Sequence, residues 1–569
     1  MPFDSNKIQI YFNSVRYLST QQIYYRIYYF IKRKIFRPQN SNNIKKKIVL
    51  HPIELKKSTI CFYNSELSAL LKNEFTFLNK TICFGEKVNW HASFINQGTR
   101  LWKLNLNYHE YLVDIAYLYQ SSNDIRYFYF IENHIKEWWN QNPPGTPEYY
   151  KDNWNSYAIS LRLISWIKIY PTIEKQLTSE FKKRFIISIK DQINFLRKNL
   201  EYDIKGNHLI ENLFALLFGA YAFNDKKLFK KTKKQLSNEL NEQILSDGAH
   251  FELSPMYHQI ILNRLLDCIN LLQNNQRFDD QKELLALMQT KAQKMLAWLN
   301  TITFTNGQIP LLNDSAPDIA PKTKQLNRYA AKLNLFDSCS FSESGHLKFG
   351  TWNLELRECG YRKFTTPTYE CIIDIGQIGP SYQPGHAHAD TFNFVLNVKN
   401  EPVLVDTGIS TYDSGKTRLK ERGTAAHNTV TVQNENSSEV WSSFRVARRA
   451  KVKILKDDKN NIIAQHDGYK RIGTTHQREW HFSENQIEIS DTLTGKFTEG
   501  KAHLWFHPSA NPRQNNNRIT TKNATFAFEN EISVKLVPAE IPDGYNRFVK
   551  THKVEIPFKN YLKTFIIVS

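Results

Sequence analysis

Between residues 100 and 335 apolar side chains recur at every third or fourth position. Tyr157 to Ile167, Leu209 to Phe223, Ile260 to Leu272 and Leu284 to Leu299 carry that period, which draws an apolar stripe along an α-helix. Polar breaks separate these runs, Asn142-Pro143-Pro144-Gly145 being a clear one, and no strand-like run intervenes. Helices joined in this way bury their stripes against one another. Near residue 340 the period falls to two. From His346 onward, segments such as Leu347 to Leu356 alternate apolar and polar residues, and turn residues such as Lys459-Asn460-Asn461 recur at short intervals to the C-terminus. That pattern predicts an antiparallel β domain of sandwich type. The change falls between Phe336 and Ser344, and short strand-like runs over residues 48–90 predict a small β element. The chain is thus divided into an N-terminal helix and small β element (1–90), a helical domain (91–340) and a β domain (341–569).

At 569 residues the chain is longer than one ordinary core serves, which agrees with that division. Lys and Arg number 75 against 55 Asp and Glu, a formal charge of +20 whose field favours anionic partners. Nucleic acid, anionic lipid and acidic polysaccharide all meet that condition. The cations are spread along the chain apart from Lys45-Lys46-Lys47, and neither zinc-finger spacing nor an RNA-binding signature is present, so no nucleic-acid partner is expected. Six cysteines without a CxxC pair are too sparse for a disulfide framework. The first ten residues contain Asp4 and Lys7 and lead into no apolar signal core, and no window approaches the ~18 apolar residues of a spanning helix. The expected location is the cytoplasm or the periphery of an inner membrane, with the cell envelope or periplasm as the alternative. Ile8 to Phe36 sets Tyr24, Tyr25, Tyr28, Tyr29 and Phe30 beside Arg26, Lys32, Arg33 and Lys34. Such a segment suits peripheral contact with an anionic membrane, and equally a helix whose aromatic stripe packs on its own domain.

Gly385-His386-Ala387-His388-Ala389-Asp390 sets two imidazoles and a carboxylate at alternate positions. In an extended strand all three share one face, as in a metal site or an acid/base cluster. A His-rich surface turn is the plainer reading. Val403-Leu404-Val405 then delivers Asp406 into Thr407-Gly408, and Ala425-Ala426-His427-Asn428 runs into the strand Thr429 to Val432. In the helical half, Gly206-Asn207 opens an apolar helix on which His208 and Glu211 share one face. A helix start capped by Asn207 accounts for this equally well. Ser254-Pro255 marks another helix start, with Tyr257 in a first turn whose positive end favours a phenolate. A core tyrosine with a satisfied hydroxyl is the alternative.

Taken together, these motifs resemble the heparinase II/III-like polysaccharide lyases. The resemblance spans Asn107-Tyr108-His109-Glu110-Tyr111-Leu112, Gly206-Asn207-His208 with Glu211-Asn212, and Asp247 through His258. It continues through Gly385 to Asp390, Val405-Asp406-Thr407-Gly408 and Arg422 through Thr429. It implies an α+β multidomain chain, an N-terminal incomplete α/α toroid followed by a C-terminal antiparallel β-sandwich. It also implies β-elimination of a uronate-containing polysaccharide, a carbon–oxygen lyase reaction, in a cleft between the two.

Such a reaction must neutralise the uronate carboxylate, remove the C5 proton and protonate the departing O4. The resemblance assigns Asn207 with His208 to the carboxylate, as donors preorganised where enolate charge develops. It assigns Tyr257 and His386 to the proton transfers. A tyrosine acts as a base only where cations or donors bring its pKa down from about 10, which a basic chain assists. His388, Asp406 and His427 match positions at which some relatives bind a structural zinc; three N/O ligands suit that ion, and members differ in carrying it. Without metal the same residues would steady His386 from behind by hydrogen bonds. Arg422 and Arg445, with Arg448 and Arg449, suit substrate carboxylates or sulfates. Glu211, Trp154 and Tyr157 are placed among the substrate-binding residues, and Asn313-Asp314 is given no role beyond lining the cleft. Two other readings stand beside the lyase. One is a glycan-binding or processing protein of capsule or exopolysaccharide biosynthesis, which the lack of a recognisable signal peptide favours. The other is a glycoside hydrolase using Glu211 and Glu252, which would leave the tyrosine and histidines idle.

Overall fold

The computed structural model describes residues 5–35, 48–58, 67–90, 99–145, 151–336 and 356–569. The helical half is made of antiparallel hairpins. Helices Tyr111–Ser122, Ser156–Ile173, Gly206–Ala222 and Pro255–Asn274 pack successively on one another, and each carries an outer partner: Ile125–Gln141, Ser179–Lys198, Lys226–Gln243 and Gln281–Ile302. The sequence explains which helix lies inside. Gly206–Ala222 is apolar on every side from Leu213 onward and is buried almost throughout, whereas Lys226–Gln243 buries only the stripe through Leu228, Phe229, Leu236 and Leu240. An inner and an outer layer of helical hairpins that stop short of closing a ring form an incomplete α/α toroid.

The C-terminal half is an antiparallel sandwich. Its small sheet runs in the order Tyr361–Thr365, Tyr369–Asp374, Phe394–Val398, Glu401–Leu404. Its large sheet is built on the long strand Phe548–Val568, which pairs with Gln486–Gly495, Gly500–Trp505, Ala524–Glu531 and Lys535–Pro542. Alternation is strict within the large sheet in Thr474–Phe482, which buries every second residue. The small sheet behaves differently, with Tyr369–Asp374 and Phe394–Val398 buried on both faces. Cys371, Ile373, Phe394 and Leu396 join the sandwich core, while Ile372, Val395 and Tyr361 join the core of the toroid. This sheet is therefore the wall the two domains share.

The expected N-terminal β element is the hairpin Glu74–Phe77 with Lys80–Cys83. It reaches the sandwich through Asn79, which donates to the Tyr545 carbonyl, and Asn546, which donates to the Leu78 carbonyl. Leu347 to Glu355, Lys45-Lys46-Lys47 and most of the expected boundary lie outside the described residues. Among the described residues no helix is long and apolar enough to cross a membrane.

Candidate active site

Helix Pro255–Asn274 starts where the toroid meets the sandwich. The Ser254 hydroxyl accepts the Tyr257 N–H and donates to the Asp314 carbonyl, which fixes the first turn against the loop after Leu312. Tyr257 thereby lies on the His386 ring, with centroids 3.8 Å apart, and its hydroxyl is 3.0 Å from that of Tyr412. Burial pushes the Tyr257 phenol well above its ordinary pKa, and Tyr545, Asp314 and Glu252 add to the effect. The expectation that the helix start and the basic field favour a phenolate is thus corrected. Loss of solvent outweighs both, and Tyr257 carries its proton at neutral pH.

Residues 385–391 form turns and not a strand. His386 and His388 still converge, but on a third group: His386 Nδ1 lies 2.8 Å from Asp314 Oδ2 and His388 Nε2 lies 2.8 Å from Asp314 Oδ1. Arg418 grips the same carboxylate with both nitrogens at 2.5 and 2.6 Å. Burial alone would raise the Asp314 pKa, but Arg418 and the two imidazoles outweigh it and hold the acid well below the usual carboxylate range. Ionised Asp314 accepts from His386 Nδ1–H, the tautomer that leaves Nε2 as an acceptor. That nitrogen faces Glu252 Oε2 at 3.8 Å. Asp390 does not join the two imidazoles. It lies near Asp374, Asp406 and His427, and burial pushes it up to about 6.

Asn207 enters the same junction from the start of Gly206–Ala222. The chain turns there through left-handed backbone at Lys205 (φ 62°) and Gly206 (φ 57°). Asn207 does not cap the helix. Glu252 Oε1, reaching across from the next helix start, accepts the Asn207 N–H at 3.0 Å, a placement the positive helix end favours. The Asn207 carboxamide has no hydrogen-bond partner among the described residues. His208 Nδ1 is 3.0 Å from Glu201 Oε1 and its ring lies 4.6 Å from that of Tyr157. Burial opposes protonation of His208, yet Glu201 outweighs it and raises the pKa. The Asn207 turn, the His208 imidazole with its raised pKa, the protonated Tyr257 phenol and His386 are thereby gathered around Glu252.

Several expected binding residues have other tasks. Trp154 is buried against Phe195, with its Nε1–H donated to the Asn142 carbonyl, so it is core. Arg422 is fully buried, and its guanidinium is spent on the carbonyls of Ala387, Ser442 and Ser443. It holds the histidine loop from a fully buried position. Arg448 pairs with Glu439, and Arg449 donates to the carbonyls of Pro380 and Ser381. Arg445 is half-buried beside Tyr11 and Arg26 of the N-terminal helices. Glu211 is 3.3 Å from Arg264 Nε, and burial pushes it up to about 7 despite that neighbour. Tyr157, expected among the substrate-binding residues, lies against the His208 ring.

Behind His386, Asp406 Oδ2 is 2.8 Å from His427 Nδ1 and accepts from Asn393 at 2.6 Å. His388 Nδ1 and His427 Nε2 are buried without hydrogen-bond partners among the described residues. Among the described residues no three acid, imidazole or thiol groups are gathered as a ready metal cage. Asp314, Arg418 and Glu252 organise the junction, yet nothing in their local sequence signals these roles.

The model of the heparinase II/III N-terminus matches residues 19–340 and that of the heparinase II/III-like C-terminal domain matches residues 353–567. A heparin-sulfate lyase of Pedobacter heparinus is 23% identical over 376 residues, 62% of this chain and 55% of that protein. One from Bacteroides stercoris is 22% identical over 500 residues, 78% of this chain and 70% of that protein. The chain thus spans little more than half the length of the first of these relatives. A solved heparinase III superposes with a TM-score of 0.72 at 17% identity, over 98% of this chain and 93% of that one. A chondroitinase AC lyase superposes with a TM-score of 0.51 at 11% identity, over 81% and 75%. The toroid, the sandwich and the two matched domain models together establish that this chain belongs to the heparinase II/III-like family.

Proposed function

We propose that the protein cleaves a uronate-containing acidic polysaccharide by β-elimination. The observation that carries this reading is the stack of a protonated Tyr257 on a His386 whose Nδ1 is committed to Asp314. Acid and base stand side by side, as removal of the C5 proton and departure of O4 require. The Asn207 carboxamide and the His208 imidazole, whose pKa is raised beside Glu201, meet the substrate carboxylate and stabilise the enolate that forms when His386 Nε2 takes the C5 proton. As the C4–O4 bond breaks, Tyr257 gives its proton to O4, leaving a 4,5-unsaturated sugar at the new end. The proton then passes from His386 back to Tyr257, which restores both groups. A glycan-binding protein has no use for a buried acid that fixes one imidazole tautomer.

Two buried nitrogens, His388 Nδ1 and His427 Nε2, are the observation that points to a divalent ion such as zinc behind His386, although the side chains are not gathered as a ready cage. Asp406 and His427, with the unpartnered Nδ1 of His388, would hold it, and the ion would stiffen the loop that carries His386. Chelation is then expected to lower the melting temperature reversibly, and zinc should be found near one per chain by elemental analysis. Metal-free protein that melts unchanged in chelator would remove this part of the proposal.

The test of the reaction is absorbance of the conjugated double bond during incubation with heparan sulfate, hyaluronan, chondroitin, alginate and bacterial acidic exopolysaccharides. A rise is expected with at least one polymer, and Tyr257→Phe should lower its rate by about 10²–10⁴-fold. Silence of the folded, zinc-supplied protein across the panel would leave the glycan-binding reading in its place.

A further inference from the structure

We infer that the helices Ser5–Val15 and Thr20–Ile35 form a docking face for an anionic lipid surface. Their polarity is inverted with respect to the protein. On Thr20–Ile35 the inward side is held largely by polar bonds, beside the Tyr25 ring packed on Tyr202: Gln22 donates to the Ile204 carbonyl, and Arg26 donates to the Asp203 carbonyl and to Gln383. Tyr29 adds a hydroxyl bond to the Leu200 carbonyl. The outward face carries Ile23, Tyr24, Ile27, Tyr28, Phe30, Ile31 and Ile35, with Tyr24, Phe30 and Ile35 each at least 60% exposed. Ser5–Val15 repeats the arrangement, with Asn13 buried and Ile8, Tyr11, Phe12 and Val15 exposed. Two consecutive helices that each turn aliphatic and aromatic side chains to solvent leave apolar surface that water does not favour.

Charge selects what covers it. From residue 5 to residue 53 the chain has no Asp or Glu, against ten cations: Lys7, Arg16, Arg26, Lys32, Arg33, Lys34, Arg37, Lys45, Lys46 and Lys47. Arg33 and Lys34 are exposed beside the apolar face, and Lys34 Nζ lies 4.3 Å from the Phe30 ring centroid. Apolar side chains that enter the acyl boundary, tyrosines at headgroup depth and cations among anionic headgroups are the features of an interfacial helix. A second copy of the chain is disfavoured, because a two-fold contact would set these cations against their own images. A soluble acidic polysaccharide matches the charge but has nothing to bury Ile27, Ile31 and Ile35. The anchored helix grips Asp203, Ile204 and Gln383, close in sequence to Asn207 and His386. Docking would therefore hold the junction near the lipid surface and any polymer gathered there.

Co-sedimentation of the full chain with vesicles tests this without reference to activity. Phosphatidylcholine vesicles containing phosphatidylglycerol should bind the protein at least tenfold more tightly than pure phosphatidylcholine, with affinity falling as salt is added. Removing one exposed cation with Lys34→Gln should weaken binding about fivefold. The double variant Ile27→Glu with Ile31→Glu should abolish it while leaving the melting curve of the protein unchanged. Failure to bind anionic vesicles overturns the inference, as does binding that the double variant retains. A wild-type dimer in light scattering that the double variant converts to monomer, without vesicle binding, would assign the face to a second copy and overturn it as well.

Discussion

Asp314 shapes the chemistry of His386 although the proposed reaction never brings it to substrate. Both its oxygens are occupied, by Arg418 and by one imidazole each, and the fork of Arg418 keeps it ionised. Replacement by asparagine can present an amide N–H to His386 Nδ1, which would put the proton on Nε2 and remove the base. Asp314→Asn is therefore expected to lower kcat by about 10²–10⁴-fold with a small change in KM, a positioning effect as opposed to a binding one. Loss of KM with kcat intact would contradict it. Asn207, Tyr257 and His386 were legible in the sequence because each sits in a motif whose neighbours announce a helix start or a polar cluster. Asp314 was not, since Asn313-Asp314 says nothing of partners more than 70 residues onward. Arg418 lies in a run from Lys416 to Glu421 that reads as a solvated helix, but its side chain is fully buried. Trp154 erred the other way: an aromatic that suits a sugar ring has a fully satisfied place in the core.

At the scale of elements, Asn207 is positioned by an acid from another helix start. Gly206 makes that possible, because at φ 57° it accepts left-handed backbone and because a Cβ there would collide with Glu252 Oε1. Gly206→Ala is expected to displace Glu252 and tilt the Asn207 turn. Stability should fall by about 1–2 kcal/mol in urea unfolding, while turnover falls at least tenfold. Equal turnover with lower stability would show that Glu252 merely caps the helix. The helices themselves were readable because a 3.6-residue period survives whatever they pack against. In Tyr369–Asp374 and Phe394–Val398 even Glu370, Asp374 and Asn397 are buried, and Cys371 to Ile373 and Phe394 to Leu396 run apolar without alternation, so the pattern does not reveal the wall these strands form. The run from His386 to Asp390 alternates without being a strand. Its geometry comes from Asn313, whose side chain accepts the His388 N–H, and from Arg422, which holds the Ala387 carbonyl.

For the molecule as a whole, the same carboxylate that orients the base also joins the two domains. Asp314 follows the toroid strand of chain at Leu312, whereas Arg418, His386 and His388 belong to the sandwich half, and Asp314 N–H donates to the His386 carbonyl as well. Other contacts cross the interface, among them Tyr361 to the Leu253 carbonyl and Cys359 N–H to Asp247, and one face of the small sheet is shared core. The domains should therefore unfold together in the wild type. Arg418→Met removes one partner of a fully buried pair and leaves the Asp314 charge without its fork, which costs about 3–5 kcal/mol when the surroundings cannot compensate. That loss falls on the interface and leaves each domain core intact, so the variant should lose cooperativity before it loses structure. Hydrogen exchange followed by mass spectrometry is expected to show Thr474–Phe482 and Gln486–Gly495 opening independently of Gly206–Ala222, where in the wild type all three open at one free energy. A variant in which the three still exchange in concert at a lower common stability would show that the shared sheet, and not Asp314, couples the domains. Turnover separates the two roles further. If Asp314 serves the base and the joint at once, Arg418→Met should lose activity at temperatures well below its first unfolding transition, because an unforked Asp314 gains a proton and releases His386 from its tautomer.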